Sequence, residues 1–119
     1  ENISSAEVEL EVVGFPTVRA VAAYGVPSEH SEDEVMIAVE SKPGFETEPS
    51  ALIEYLIPRM AHFMVPRYIR IVEQLPQNAT GKIEKSQLRK DGVTGDTWDR
   101  EAAGIVLKRE RASSACNPE

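Results

Sequence analysis

Apolar residues recur along this chain at different spacings, and each spacing predicts a kind of element. From Ser5 to Val13, the residues Val8, Val12 and Val13 fall at a helical interval and predict a short helix with those valines inward. Ser4 and Glu7 stand at capping-box spacing at its start, and Gly14 and Pro16 stop it. Val18 to Val26 is almost wholly apolar, which predicts a strand covered on both faces. Pro27 to Asp33 is a polar turn, and Glu34 to Glu40 is a second apolar strand ended by Lys42-Pro43-Gly44. So short a reversal predicts antiparallel pairing, because a parallel crossover needs many more residues.

Helical spacing returns behind Glu48-Pro49-Ser50, at Leu52, Ile53, Leu56, Ile57, Met60, Phe63 and Met64. Pro58 interrupts that face. A proline inside a helix costs about 3 kcal/mol, so a kink or break is expected near Ile57. Arg67 to Glu73 alternates polar and apolar, which predicts a third strand with one wet face. Lys85 to Lys90 reads as a short helix with Leu88 inward. Trp98, Ala102, Ile105 and Val106 share a helical face and predict a helix over 97–110, followed by a disordered tail. The sum is a small α+β domain: a sheet of about three main strands, mostly antiparallel, packed against helices.

Composition narrows the function classes. The 119 residues suffice for one core, and the net charge of −7 argues against a nucleic-acid partner. No apolar run is long enough for a transmembrane segment, and no signal peptide opens the chain, so a cytoplasmic setting is expected. Glu1 reads as a start in mid-sequence. Cys116 stands alone, and His30 and His62 lie far apart without a cysteine partner, so neither an internal disulfide nor a metal site is expected. Charge is segregated along the chain. Acids dominate from Pro27 to Glu54; bases dominate from Tyr55 to Lys90, through Arg59, Arg67, Arg70, Lys82, Lys85, Arg89 and Lys90. That second half predicts a local cationic surface suited to a phosphorylated ligand.

The stretch from Pro76 to Arg89 carries the candidate chemistry. Gly81 allows a tight or positive-φ turn, and Lys82 then stands at a loop tip within reach of a phosphate or carboxylate. Taken alone, this is an ordinary surface lysine. Thr80-Gly81-Lys82 is not a P-loop, since Pro76 stands where the upstream glycine belongs and Ile83 where Ser or Thr belongs. Asn78-Ala79-Thr80 is formally a glycosylation acceptor, but nothing marks the chain as secreted.

Two stretches together change the weight of that lysine. Glu1-Asn2-Ile3-Ser4-Ser5-Ala6-Glu7-Val8-Glu9 resembles the Gly-Glu-Asn-Ile-Ser…Glu-Val-Glu motif of adenylate-forming enzymes. Leu75-Pro76…Thr80-Gly81-Lys82-Ile83…Leu88-Arg89 resembles their closing lysine motif. Phe15-Pro16, Gly25-Val26-Pro27 and Val65-Pro66-Arg67 fall between them in the family's order. The chain thus resembles the C-terminal domain of an AMP-binding acyl-CoA synthetase over 1–90, with 91–119 as an extension. The contexts at Arg67-Tyr68-Ile69 and Trp98 to Ala103 are similar to the fatty-acyl and crotonobetaine/carnitine-CoA ligase-like branches.

The resemblance implies a ligase using ATP, Mg2+ and coenzyme A, with a carboxylic acid as substrate and a larger N-terminal AMP-binding domain as partner. It implies that Lys82 is the catalytic adenylation lysine and that Thr80 and Gly81 lie beside the ATP or adenylate. It also implies that Glu1, Asn2, Ile3 and Ser4 line the coenzyme A pantetheine channel after the domain rotates. The alternatives are the adenylation domain of another adenylate-forming enzyme, and a stand-alone nucleotide- or coenzyme A-binding module.

Overall fold

The computed structural model describes residues 5–27 and 33–105. The sequence places three helices and four strands there: α1 (Ser5–Val12), β1 (Val18–Pro27), β2 (Asp33–Ser41), α2 (Pro49–Leu56), β3 (Tyr68–Val72), α3 (Lys85–Asp91) and β4 (Trp98–Asp99). The sheet order is β1-β2-β3-β4. β1 and β2 are antiparallel, β2 and β3 parallel, and β3 and β4 antiparallel. The fold is the expected α+β arrangement with a mostly antiparallel sheet, and β4 adds a short fourth strand.

Strand periodicity sorts the core into two layers. On one face, Val21 and Ala23 of β1, Val35, Ile37 and Val39 of β2 and Ile69 of β3 pack with Val8 and Val12 of α1 and Leu52, Ile53 and Leu56 of α2. On the other, Ala22, Tyr24, Val26, Met36, Ala38 and Tyr68 pack with Leu75 and Leu88. A register shift between Val18 and Ala20 lets Val18 join the first layer despite its even number. Burying a side chain such as Leu88 stabilises the fold by about 1.5–3 kcal/mol, so Leu88 is the apolar anchor of α3.

Pro58 acts as expected. α2 ends at Leu56, and a 3₁₀ turn, Ile57–Arg59, carries the proline. The break costs the helical face its continuation: Met64 is buried through a second 3₁₀ turn, His62–Met64, but Phe63, expected inward, is exposed. Val13 also lies outward: its N–H still donates to the Glu9 carbonyl at 3.0 Å, but directly after buried Val12 it sits round the helix from the Val8–Val12 stripe.

Three expectations in the second half are corrected. The wet face of β3 is not built from its polar residues: Arg67, just before the strand, is buried, whereas Ile71 is exposed. The helix expected over 97–110 does not form in its described part. Trp98–Asp99 instead pairs with Ile69 and Tyr68 as β4, and turns follow to Ile105. The unpaired edge of β3 outweighs a weak helical periodicity, because its free N–H and C=O groups need partners. The cationic surface is also interrupted. Arg67 pairs with Glu34, Asp99 and Glu101, Arg70 with Asp91 and Asp96, and Lys85 with Glu9. Ser4 of the expected capping box, His30, the 106–110 part of the expected helix, and Cys116 with the tail lie outside the described residues.

Candidate functional site

The lysine stretch forms a narrow hairpin between two buried leucines. Leu75 closes the second core layer on one side and Leu88 on the other. Between them Gln77 and Ile83 bridge as an antiparallel pair, and the Glu84 N–H donates to the Pro76 carbonyl at 2.8 Å. The tip is a β-turn in which the Gly81 N–H donates to the Asn78 carbonyl at 3.0 Å. Gly81 then takes φ +87°, the left-handed conformation that a glycine adopts most easily. A Cβ there would meet nothing within 4 Å, so backbone strain, not crowding, is the reason for glycine.

Lys82 follows at the tip and is exposed, and among the described residues no acid pairs with it. Thr80 is exposed beside it, but its hydroxyl donates to Asn78 Oδ1 at 2.7 Å. That proton is committed inside the loop. What the tip presents outward is therefore a single primary ammonium on a short, hydrogen-bonded support, which suits an anion.

The base of the hairpin is anchored by two carboxylates: Glu40, which lies outside both motif stretches, and Glu9, which ends the first of them. Glu40 of β2 is buried, pairs with Arg19 through one oxygen and accepts the Leu75 N–H at 3.0 Å through the other. Glu9 of α1 accepts the Ala23 N–H of β1 at 2.8 Å and the Lys85 ammonium of α3 at 2.7 Å on the same Oε2. Glu9 thus ties α1 to the first helical residue after the hairpin. Periodicity could not show this contact, because it joins residues far apart in sequence.

A second charged group sits at the opposite end of β3. The Arg67 guanidinium donates to Asp99 from Nε at 3.1 Å and from Nη2 at 3.3 Å. It also lies 3.6 Å from Glu34 and 3.5 Å from Glu101. Buried Arg100 donates to the Pro66 carbonyl at 3.2 Å, and its N–H donates to the Arg67 carbonyl at 2.7 Å. Burial pushes the Glu34 carboxyl above its ordinary range, against the attraction of Arg67. Burial works the same way on Asp99, but hydrogen bonds from the Arg67 side chain and the Glu101 N–H outweigh it and hold that carboxyl below its ordinary range. Every cation in this group is satisfied within the fold, so it reads as a structural latch on β4.

The hairpin thus brings Thr80, Gly81 and Lys82 together at one tip. Glu1, Asn2, Ile3 and Ser4 lie outside the described residues; Ser5, which follows them, opens α1. Asn78 is a residue whose role the motif does not announce. A signal for it does exist in the chain, since asparagine two residues before a turn threonine is an Asx-turn pattern.

Comparison with known proteins gives the family. Residues 7–82 match the model of the family described as AMP-binding enzyme C-terminal domain. The long-chain-fatty-acid–CoA ligase FadD13 of Mycobacterium tuberculosis is 35% identical over 75% of this chain and 18% of its own length. A fatty acid–[acyl-carrier-protein] ligase, ScoC of Streptomyces coeruleorubidus, is 33% identical over 82% of this chain and 18% of its own. Among solved structures, the amide bond synthetase McbA of Marinactinospora thermotolerans superposes with a TM-score of 0.70 at 31% identity, over 75% of this chain and 18% of that one. The chain therefore spans less than a fifth of the length of these relatives. By the family model and by identities of this size along most of its length, the chain belongs to the AMP-binding enzyme C-terminal domain family.

Proposed function

We propose that this chain is the mobile C-terminal domain of an ATP-dependent acyl-CoA ligase, near the fatty-acyl and crotonobetaine/carnitine-CoA ligase-like branches. Residues 1–90 form its lysine-bearing part, and 91–119 are an extension. The observation that carries the reading is Lys82: an exposed cation on a hydrogen-bonded hairpin tip, with no acidic partner among the described residues. A larger N-terminal AMP-binding domain holds most of the ATP, Mg2+ and carboxylic acid substrate. When bound, ATP with Mg2+ supplies the adenylyl group, and coenzyme A supplies the accepting thiol. Lys82 enters that site and offsets the charge shared by the acyl carboxylate and the α-phosphate, as a fixed cation does without reorganising. Thr80 and Gly81 shape the turn beside the nucleotide. After rotation, Glu1 to Ser4 line the pantetheine channel.

The surface around the tip suits a second domain. Leu10, 70% exposed, and Val13, 45% exposed, form a shallow apolar groove with Ala20, Val21 and Ile83 next to the hairpin. No helix among the described residues is long and apolar enough to cross a membrane, and we place the enzyme in the cytoplasm.

The test is Lys82→Ala in the full-length enzyme. Acyl-adenylate formation, followed by pyrophosphate exchange, should fall by about 10²–10³-fold, as when one charge-stabilising donor is removed. Thioester formation from supplied acyl-adenylate should survive. Equal loss in both half-reactions would sink the assignment. A second reading keeps Lys82 but changes the acceptor, since relatives include a carrier-protein ligase and an amide bond synthetase. It predicts normal adenylate formation with no turnover of free coenzyme A.

A further inference from the structure

We propose that Asn78 is the positioning residue of the lysine hairpin, the group that sets the direction in which Lys82 leaves the loop. The inference rests on the reading of Lys82 as the adenylation cation, and deepens it.

Both backbone polar groups of Lys82 end on Asn78. The Lys82 N–H donates to Asn78 Oδ1 at 3.0 Å, and the Lys82 carbonyl accepts from the Asn78 N–H at 2.8 Å. The same Oδ1 accepts the Thr80 N–H at 2.9 Å and the Thr80 hydroxyl at 2.7 Å, and the Asn78 carbonyl accepts the Gly81 N–H. One residue thus fixes the peptide planes on either side of the Lys82 Cα, and with them the Cα–Cβ direction. Core packing does not share this task, because Gln77 to Lys82 are all exposed. A hairpin tip without a core contact keeps one shape only through its own hydrogen bonds. Asparagine suits the position because its amide carbonyl accepts several donors without adding a charge beside the lysine. Aspartate keeps the acceptor and adds charge; alanine removes the acceptor.

This differs from general support of the fold. Asn78 contributes nothing to either core layer, and the hairpin's base is held separately by Leu75, Leu88 and the Glu9–Lys85 pair. Losing the Oδ1 clamp should leave the domain folded and its second working face intact, while the lysine loses its aim. Misplacement of a catalytic group by about 1 Å costs on the order of 10²-fold in rate.

The experiment uses the full-length enzyme with Asn78→Ala, Asn78→Asp and Lys82→Ala, reading both half-reactions and amide hydrogen exchange in the peptide covering 78–84. Asn78→Ala should lower kcat for adenylate formation by about 10–100-fold with a smaller change in KM. It should leave thioester formation from supplied acyl-adenylate within about twofold. It should also speed exchange in the 78–84 peptide without lowering Tm. Asn78→Asp should recover slow exchange and most of the adenylation rate. The proposal is overturned if Asn78→Ala keeps adenylation within about twofold of the parent, or if both half-reactions fall together with Tm. Should Lys82→Ala leave adenylation intact, the functional reading fails by itself. Exchange then decides the clamp: faster exchange in Asn78→Ala upholds it, and unchanged exchange ends it.

Discussion

Lys82 and Arg67 are two cations from the same basic half of the chain, and the fold uses them in opposite ways. Arg67 is 5% exposed and is surrounded by Glu34, Asp99 and Glu101. Lys82 is exposed and has no acidic partner among the described residues. The side chains match these roles. A guanidinium can donate two bonds in one plane, as Arg67 does to Asp99, and is suited to a fixed latch. An ammonium on a flexible stem is a point charge that can approach a changing anion. The difference teaches that charge density along a sequence says little about available charge. What counts is whether acids distant in sequence, here those near 96–101, return to neutralise it.

The widest separation between the two should come from their removal. Lys82→Met in the full-length enzyme should cost about 3–4 kcal/mol of transition-state stabilisation in adenylate formation, by half-reaction kinetics, yet leave stability within about 0.5 kcal/mol. Arg67→Met should do the reverse. It strands Asp99 and Glu34, and because those acids are partly exposed the loss should be about 2–3 kcal/mol in urea unfolding, with adenylation per folded molecule little changed. If Arg67→Met removes catalysis from folded protein, the contrast between latch and working cation breaks.

Gly81→Ala sharpens the comparison on the hairpin side. It places a Cβ at φ +87°, where an L-residue pays about 1–2 kcal/mol, although space is open around it. The turn is exposed, so the expected result is a distorted tip and a loss of adenylation greater than the fall in Tm.

The smallest effect is pH dependence at the latch. Glu34 holds its proton more tightly folded than unfolded, so its contribution is fully present below its ordinary value of 4.5 and is lost as pH rises through the raised folded value. Asp99 behaves oppositely. Its contribution is present above its ordinary value of 3.8 and is lost as pH falls through the lowered folded value. In urea titrations, Glu34→Gln should therefore leave stability at pH 7 unchanged or slightly raised. Asp99→Asn should lower it at pH 7 and flatten the acid limb. A lowered stability at pH 7 in Glu34→Gln would show that Arg67 relies on that partner more than the burial cost suggests.

Much of the site is legible in the order of the amino acids. Gly81 announces a positive-φ turn, Leu88 announces the inward side of α3, and the two motif stretches announce the family. The anchors are not legible there. Glu9 meets Lys85, and Glu40 meets the Leu75 N–H, only because β1 and β2 bring distant segments together. Phe63 turns outward against its spacing, because a helical pattern of side chains can run past the point where backbone hydrogen bonding stops.

The sequence by itself determined most of the local elements, the break at Pro58, the apolar burial of β1 and β2, and the glycine–lysine tip. These follow from short-range sterics and side-chain periodicity, which act over a few residues. Tertiary structure decided the parallel pairing of β2 with β3, the strand at Trp98–Asp99 where the spacing favours a helix, and the burial of Arg67. It also left Lys82 uncommitted while pairing Lys85, Arg67 and Arg70. Those outcomes depend on which edges and charges meet in space. An open strand edge or a desolvated guanidinium takes the partner the fold supplies, whatever the local pattern favours.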